Sequence, residues 1–445
     1  MKKTQGFFQS DLDETKTEDF VIFCRNGRKN VLVRKRKMPL EDLLLSMLIR
    51  KGLSLTMELR GYMNETHPGM NISKPGYLKQ RMKLNPEALN YLYHFHNRQF
   101  YADTDPETAP FTYNGYLVFS ADGSSINIPT TPENLEIYGT PCVSQTRKQA
   151  QLGLGCIYDV LNHVIVESDI GPYKFNEGKT AERQADRLRE TIGSTYKYML
   201  LMDRGYPSSP MFMRFIDKGI YFVARLNSAI YKAEQEAMKS DDEDVEIVLT
   251  RGRRRAKHVG TDNKDIMNSR DSFKLRLVRV WLDKDHYEIL ATNLPREEFP
   301  AECFKEIYHL RWSIETSYET LKCKLQLENF TGTKTVLIEQ DIYSSIYVYN
   351  LAENMAREAE IEQAKKLNTE YKHPMRINRN VCIGILKNDL IHAIMEPDKE
   401  EKDRLFHKLY DDISSCIVPV RPGRHYDRTT WKTKNKYPNN CKRGY

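Results

Sequence analysis

The chain has 445 residues, of which 40% are hydrophobic and 29% charged, and it carries a formal net charge of +7. This length allows two or three domains with sizeable cores, and the composition excludes a disordered or fibrous protein. The N-terminal stretch MKKTQGFFQSDLDETKTEDF lacks the apolar core of a signal peptide, and no apolar run reaches the roughly 18 residues of a membrane span, so we expect a cytoplasmic protein with no membrane partner.

Residues 1–110 are predicted to form a helical N-terminal DNA-binding domain. Short helices joined by tight turns are indicated at 39–52, 54–65, 71–84 and 85–101. The third helix carries Lys79 and Arg81, which favour contact with DNA phosphates. The same pattern also fits an ordinary helical bundle.

Near residue 115 the pattern changes to strands and helices in alternation. GYLVFSADGSSINIP predicts a strand, and residues 149–170 predict two strands joined by a hairpin at 161–163. A helix over 178–193, a strand over 196–202, a helix over 209–219 and a strand over 220–226 follow. This order predicts an α/β protein with a ribonuclease-H-like mixed sheet, whose catalytic core we assign to 111–226 and 297–335.

Residues 227–296 interrupt that rhythm and predict a β-rich insertion subdomain of antiparallel strands. Its basic run, RGRRRAKH, holds Arg253 and Arg254, which suit either phosphate contact or a solvated loop. Residues 336–445 are predicted to form C-terminal helices, at 342–358 and 378–396, followed by a basic tail. We expect the tail to become ordered on a polyanion.

The stretch 303–332 is predicted to form one long helix. Its apolar stripe is Ile307, Leu310, Ile314, Leu321 and Leu325. Beside that stripe lie Tyr308, Arg311, Glu315 and Lys322, which share a sector of roughly 60° on a regular helix. Taken alone, this second stripe is more typical of a solvated flank with intrahelical ion pairs.

Two aspartates change that interpretation, since each follows an apolar strand. Asp122 lies in SADGSS and Asp203 in LMDRGY, so each carboxylate is predicted at a strand end, with Glu315 as a possible third from the helix. Three such carboxylates suit two Mg²⁺ or Mn²⁺ ions, whereas the scattered cysteines show no zinc-binding spacing. Either aspartate alone is more often a turn or capping residue.

The spacing Y-x2-R-x3-E-x6-K from Tyr308 to Lys322 resembles the YREK signature of DDE transposases of the bacterial insertion-sequence-four family. DGSSINIP around Asp122, DRGYP around Asp203 and the β-rich insertion before the helix match the same family. The resemblance covers roughly residues 70–335 and extends loosely into the basic C-terminus.

The resemblance implies a catalytic triad of Asp122, Asp203 and Glu315 that holds the metal ions and performs cut-and-paste transposition of an insertion sequence. It also implies that Tyr308, Arg311 and Lys322 contact phosphates of the transposon end. The implied partners are double-stranded DNA, both terminal inverted repeats and target, and a second copy of the chain in a homodimer at the bacterial nucleoid.

Several roles stay open at this point. Arg204 is expected either to approach DNA or to form a salt bridge in the site. Trp281 and Tyr287 are candidates for stacking on a flipped base, as in family members that excise through a DNA hairpin, but an aromatic in a strand is more often part of the core. Alternatives for the whole chain are a non-catalytic DNA-binding protein of transposase descent and a related ribonuclease-H-like nuclease.

Overall fold

The computed structural model of the chain describes residues 2–33, 37–141, 148–255, 261–366 and 371–421. One compact unit contains residues 1–109, 125–152 and 318–445, and a second contains 110–124 and 153–317. The basic tail after residue 421, and residues 256–258 of the basic run RGRRRAKH, lie outside the described residues. The four-domain division drawn from the sequence stays a prediction.

The N-terminal region is helical, as predicted, and two further helices precede the four that the sequence indicated. Ser73 caps the helix that carries Lys79, because its hydroxyl oxygen accepts a hydrogen bond from the N–H of Gly76 at 3.3 Å. The helices are α1 (Lys3–Glu14), α2 (Glu18–Cys24), α3 (Leu40–Leu48), α4 (Leu55–Thr66), α5 (Lys74–Arg81) and α6 (Glu87–Ala102).

A mixed eight-stranded sheet follows, in the spatial order β3-β2-β1-β4-β5-β8-β7-β6. β1 pairs in parallel with β4, and β4 with β5, whereas β8 runs antiparallel to β5. The first five strands therefore have the ribonuclease-H-like order that the sequence predicted. The strands are β1 (Tyr116–Asn127), β2 (Gln151–Asp159), β3 (Val164–Pro172), β4 (Lys197–Met202), β5 (Tyr221–Arg225), β6 (Asp242–Val248), β7 (Ser272–Trp281) and β8 (Tyr287–Thr292).

The strands predicted for the insertion are present, and they extend the same sheet beyond β5. Thus β6, β7 and β8 form an antiparallel meander whose β8 edge continues the central sheet. The helices between the strands are α7 (Pro132–Ile137), α8 (Glu177–Ile192), α9 (Ser209–Asp217), α10 (Lys232–Glu236), α11 (Arg251–Arg254) and α12 (Lys264–Asn268).

The helical run after β8 is shorter and less regular than the single helix predicted over 303–332. α13 (Phe304–His309) and α14 (Ser313–Glu319) are joined by a 3₁₀ turn, and a π-helical turn over Thr320–Lys324 ends the run. Gln326 has a φ of 54°, a conformation that does not continue a right-handed helix. Four of the five residues of the predicted apolar stripe are buried; Leu310 is the exception.

The C-terminal helices are confirmed, and a third one follows them. They are α15 (Thr335–Lys366), α16 (Arg379–Met395) and α17 (Lys399–Ser415), with the short strands β9 (Met375–Ile377) and β10 (Ile417–Pro419). α15 packs against α1, α3, α6, α16 and α17. In the described part of the chain, no helix combines the length and apolarity needed to cross a membrane.

Candidate active site

Asp122 and Asp203 come directly after the last pair of residues in the parallel pairing of β1 with β4. The parallel register ends with Ala121 opposite Met202, so the next residue on each strand is an aspartate. Asp122 lies within β1, which continues to Asn127, rather than at the strand's end as the sequence suggested. The two carboxylates are thus carried by neighbouring positions of adjacent strands, at the place where the pairing stops.

Tyr308 contacts the end of β4 through its side chain, and Arg311 contacts β1 through its backbone. The phenol O–H of Tyr308 donates to Oδ1 of Asp203 at 3.4 Å, and Ser120 Oγ on β1 donates to the carbonyl oxygen of Arg311 at 3.4 Å. Both side chains are buried, Tyr308 being 7% and Arg311 4% exposed. Neither residue therefore belongs to a solvated flank.

Arg311 is a buried cation with unused hydrogen-bonding capacity. Its guanidinium stacks over Trp312, with 4.8 Å to the ring centroid. Its Nε is buried and has no hydrogen-bond partner among the described residues. The Nη2 atom lies 3.6 Å from Oε1 of Glu315, one helical turn further on, whose side chain is 46% exposed. Glu315 is therefore oriented towards Arg311.

The charges around Asp122 have both signs. Burial raises the pKa of the Asp122 carboxyl to about 6, and the carboxylates of Glu177 and Glu315 raise it as well. The N–H of Gly123 and the guanidinium of Arg311 lower this pKa in part. Burial likewise raises the pKa of the Tyr308 phenol, which therefore stays protonated and can donate to Asp203.

Lys322 belongs to the first compact unit, in which its ammonium group donates to the carbonyl oxygen of Ser125 at 2.9 Å. Burial lowers the pKa of this lysine. In the same unit the carboxylate of Glu328 accepts hydrogen bonds from the backbone and side-chain N–H groups of Asn127. The π-helical turn thus packs its basic residue against the far end of β1.

Trp281 and Tyr287 form the last pair of the β7–β8 hairpin, and both are exposed. Their rings meet edge to face with 5.1 Å between centroids, and the guanidinium of Arg279 lies 5.1 Å from the Tyr287 ring. Because β8 begins where β5 ends, this hairpin lies at the sheet edge where β4 and β5 finish. Packing in the sheet core does not account for these rings.

The other basic residues predicted to touch DNA fall into two groups. Arg204 and Lys79 are exposed. Arg81 is fully buried, where it pairs with Asp341 at 2.8 Å, so the prediction that it contacts DNA is wrong. Its long-range partner was invisible in the sequence. Arg253 and Arg254 form ion pairs inside the insertion, with Glu234 and Asp271.

Comparison with known proteins identifies the family of the chain. The family model for the transposase DDE domain matches residues 113–351, which is more than half of the chain. The chain belongs to the transposase DDE domain family. The predicted catalytic class is therefore confirmed: this is a DNA transposase, an enzyme of DDE-type DNA cleavage and transfer.

Two transposases of insertion sequences are among its relatives. Transposase InsG for insertion sequence element IS4, from Escherichia coli strain K12, is 22% identical over 440 residues, covering 94% of this chain and 91% of that protein. The transposase for insertion sequence element IS231E, from Bacillus thuringiensis subsp. finitimus, is 25% identical over 127 residues, 27% of this chain and 25% of that protein. The insertion-sequence-four assignment made from the YREK spacing is thereby confirmed.

A solved structure is also similar in outline. It is the cryo-EM structure of the piggyBac transposase synaptic complex with hairpin DNA. It aligns with a TM-score of 0.48 and 10% sequence identity, covering 97% of this chain and 90% of that one.

Transposases of the DDE family generally use divalent metal ions. The oxygen donors of Asp122 and Asp203 suit a hard cation such as Mg²⁺ or Mn²⁺. Within the described residues, no three His, Cys, Asp or Glu side chains are already gathered as metal ligands. Glu315, the third carboxylate of the sequence prediction, is paired with Arg311 instead.

Glu177 lies beside the segment that carries Asp122, and the sequence analysis did not single it out. It is the first residue of α8, and it approaches the backbone at Gly123. In the sequence it has the appearance of an ordinary acidic residue in the first turn of a helix, after the cap Asn176. Nothing in the local pattern links α8 to β1, since that contact depends on the tertiary fold.

Proposed function

We propose that the chain carries out cut-and-paste transposition with Asp122, Asp203 and Glu315 as ligands of two Mg²⁺ or Mn²⁺ ions. The observation that supports this most directly is the parallel register of β1 and β4, which ends immediately before both aspartates. Bound divalent ions supply an activated nucleophile, first a water and then a 3′-hydroxyl, and stabilise the leaving oxygen of a phosphodiester. The protein holds the carboxylates and orients the DNA.

Arg311 and Glu315 exchange partners in this proposal. Arg311 has a buried Nε without an acceptor among the described residues, so its guanidinium can bind a phosphate oxygen of the transposon end. When Arg311 binds the phosphate, the Glu315 carboxylate, 3.6 Å away from it, is released towards Asp122 and Asp203. DNA binding and completion of the triad are then coupled.

Tyr308 has two roles that its contacts support. Its hydroxyl donates to Asp203 and so orients that carboxylate. The second proposed role of this hydroxyl is to donate a hydrogen bond to a phosphate oxygen of bound DNA. Lys322 and the exposed Arg204 and Lys79 are proposed as further phosphate contacts, because each carries a cationic group and duplex DNA is a polyanion. Arg253 and Arg254 are weaker candidates, since both are held in ion pairs.

The proposed partners are double-stranded DNA, as transposon terminal inverted repeats and as target, and a second copy of the chain. Transposition joins two transposon ends to one target, so a homodimer on DNA supplies one catalytic domain for each end. We place this activity in the bacterial cytoplasm, at the nucleoid, where the DNA substrate is.

The test uses Asp122→Asn, Asp203→Asn and Glu315→Gln in the full chain. Each is expected to reduce Mg²⁺-dependent cleavage and strand transfer of a DNA bearing the element's terminal repeats to background, with end binding retained. Glu319→Gln is the matched control, because Glu319 is exposed on the same helix, α14. Full strand transfer by any of the three variants would contradict the assignment of that residue.

A further inference from the structure

Glu177 reaches the active site from an element that carries none of the proposed triad. It begins α8, and its side chain lies against the backbone of Gly123, the residue after Asp122. A Cβ atom at position 123 would be 2.8 Å from Oε1 of Glu177, 3.1 Å from its Cδ and 3.2 Å from its Cγ. Any side chain at position 123 would therefore displace the Glu177 carboxylate.

The need for glycine at position 123 comes from this approach and not from the backbone. Gly123 lies within β1 and does not have a positive φ, so an L-residue would adopt its conformation without strain. A larger residue at position 123 would instead occupy the space that the Glu177 side chain fills. In the DGS sequence, Asp122 thus supplies one carboxylate, and Gly123 leaves the space that the Glu177 carboxylate needs.

Stabilisation of α8 does not explain where the Glu177 side chain points. An acid in the first turn favours a helix wherever its carboxylate lies near the N-terminus. Here the side chain lies instead against the backbone of Gly123, next to Asp122, and its negative charge repels those of Asp122 and Asp203. The Glu177 side chain has no hydrogen bond or ion pair among the described residues. A cation that binds between these carboxylates would relieve their repulsion.

A second feature of the site points to a ligand. Arg311 is 4% exposed, and its buried Nε has no acceptor within the described residues. A guanidinium N–H buried without a protein acceptor is suited to an anionic oxygen from a bound molecule. Arg311 is already paired with Glu315, which leaves Glu177 as the carboxylate that approaches the aspartates from α8.

We propose that Glu177 is a fourth carboxylate of the catalytic centre and binds a divalent ion together with Asp122 and Asp203. The proposal rests on the proposed function of those two aspartates as metal ligands. Oxygen-only coordination by several carboxylates is what Mg²⁺ and Mn²⁺ accept. Glu177 lets the ion be held at the sheet before Glu315 leaves Arg311.

The experiment is a calorimetric titration of Mn²⁺ into the full-length protein without DNA. Glu177→Gln removes the charge and keeps the shape of the side chain, and we expect Mn²⁺ binding to weaken about tenfold or more, which corresponds to roughly 1.4 kcal/mol. Glu190→Gln is the control, because Glu190 is exposed on the same helix. Unchanged Mn²⁺ affinity in Glu177→Gln, with a lower melting temperature of the metal-free protein, would show a merely helix-stabilising residue and overturn the proposal.

A second variant tests the role of Gly123. Gly123→Ala is expected to weaken Mn²⁺ binding as much as Glu177→Gln does, and to have no further effect once Glu177→Ala has removed the opposing side chain. Equal effects of Gly123→Ala in both backgrounds would contradict the proposal. Asp122→Asn and Asp203→Asn separate the role of Glu177 from the proposed function. Retained Mn²⁺ affinity in those two variants would refute the assignment of the aspartates as metal ligands.

Discussion

At the scale of single residues, the site combines a carboxyl group that resists ionisation with a cation that lacks a full set of partners. Asp122 is partly buried near other carboxylates, and the buried Arg311 has an Nε–H without an acceptor in the part of the chain that the structure describes. Each group would be more stable with a ligand of the opposite charge. The site is therefore prepared for a divalent cation and a phosphate.

The raised pKa of Asp122 gives a pH dependence of stability. Because the folded protein holds this proton up to about pH 6 while an unfolded aspartate loses it near its usual value of 3.8, the free energy of unfolding falls as the pH rises between those values. Asp122→Asn should remove the part of this pH-dependent decrease in the free energy of unfolding that comes from the Asp122 carboxyl. Urea unfolding in a metal-free buffer, at about pH 4.5 and about pH 7, measures it.

Asp411→Asn is the control for this pH experiment, since Asp411 is exposed on α17. That variant should keep the pH profile of the unchanged protein. An identical profile in Asp122→Asn would mean that the Asp122 carboxyl ionises normally in the folded state.

The exposed pair Trp281 and Tyr287 supports a contact with an unstacked base. Replacing either by Ala should weaken binding of a DNA end that has an unpaired flanking base by about 1–3 kcal/mol, which is the usual contribution of base–aromatic stacking. Binding is measured by fluorescence anisotropy. Leu282→Ala is the control, because Leu282 is exposed at the same hairpin and has no ring. An equal loss in that control would indicate general disruption of the hairpin.

At the scale of elements, buried polar contacts in the first unit join helices that are distant in sequence. Arg81 at the end of α5 pairs with Asp341 on α15, and Arg50 reaches the same carboxylate at 3.1 Å. The arginines hold the pKa of Asp341 below its ordinary value despite burial. The Asp341 carboxylate also accepts a hydrogen bond from the backbone N–H of Thr331 at 2.8 Å. It therefore joins the N-terminal helices to the segment that contains Thr331.

Replacing only Arg81 or only Asp341 should lower the free energy of unfolding more than replacing both residues together. Asp341→Asn leaves the buried Arg81 and the partly exposed Arg50 without their counter-charge, and we expect a loss of roughly 3–5 kcal/mol in the free energy of unfolding. The double variant Arg81→Met, Asp341→Leu should lose less unfolding free energy than the two single variants lose in sum. Urea unfolding measures the cycle, with the exposed α5 residue Lys79→Met as control. Strictly additive losses would show that the pair is not coupled.

At the scale of the whole molecule, positive charge is concentrated at the C-terminus. Residues 422–445 contain seven Lys or Arg and one Asp, against a net charge of +7 for the entire chain. Such a segment contacts phosphates with little dependence on base sequence. Its contribution should therefore appear in affinity and salt dependence, and not in the choice of DNA site.

Deleting residues 422–445 should weaken DNA binding and flatten its dependence on salt. For every phosphate that the tail neutralises, its removal should change the slope of log K against log salt concentration by about 0.9. Titrations of one DNA end at several salt concentrations measure this slope. A full-length variant with the tail Lys and Arg changed to Gln should behave like the deletion. An unchanged slope in both would exclude the tail from DNA binding.

Much of the architecture was accessible from local pattern. The apolar run before Asp203, the hairpin at 161–163 and the helix that ends before Gly193 each depend on neighbours in the sequence, and the structure has all three. The helices α1, α2 and α17 were missed, because their mixed polar sequences are stabilised by packing within the fold. The 3₁₀ and π-helical turns of the 303–332 stretch were also missed, since residue periodicity assumes a regular helix.

The sequence by itself determined the chemistry of this protein: two aspartates after apolar strands and the Y-x2-R-x3-E-x6-K spacing identified a DDE transposase. Only the tertiary structure decided which charged groups face one another. It brought Glu177 to Gly123, paired Arg311 with Glu315 and buried Arg81 against Asp341. The physical reason is distance along the chain, because strand order follows from short-range patterns whereas the burial and pairing of a charge depend on residues far away in sequence.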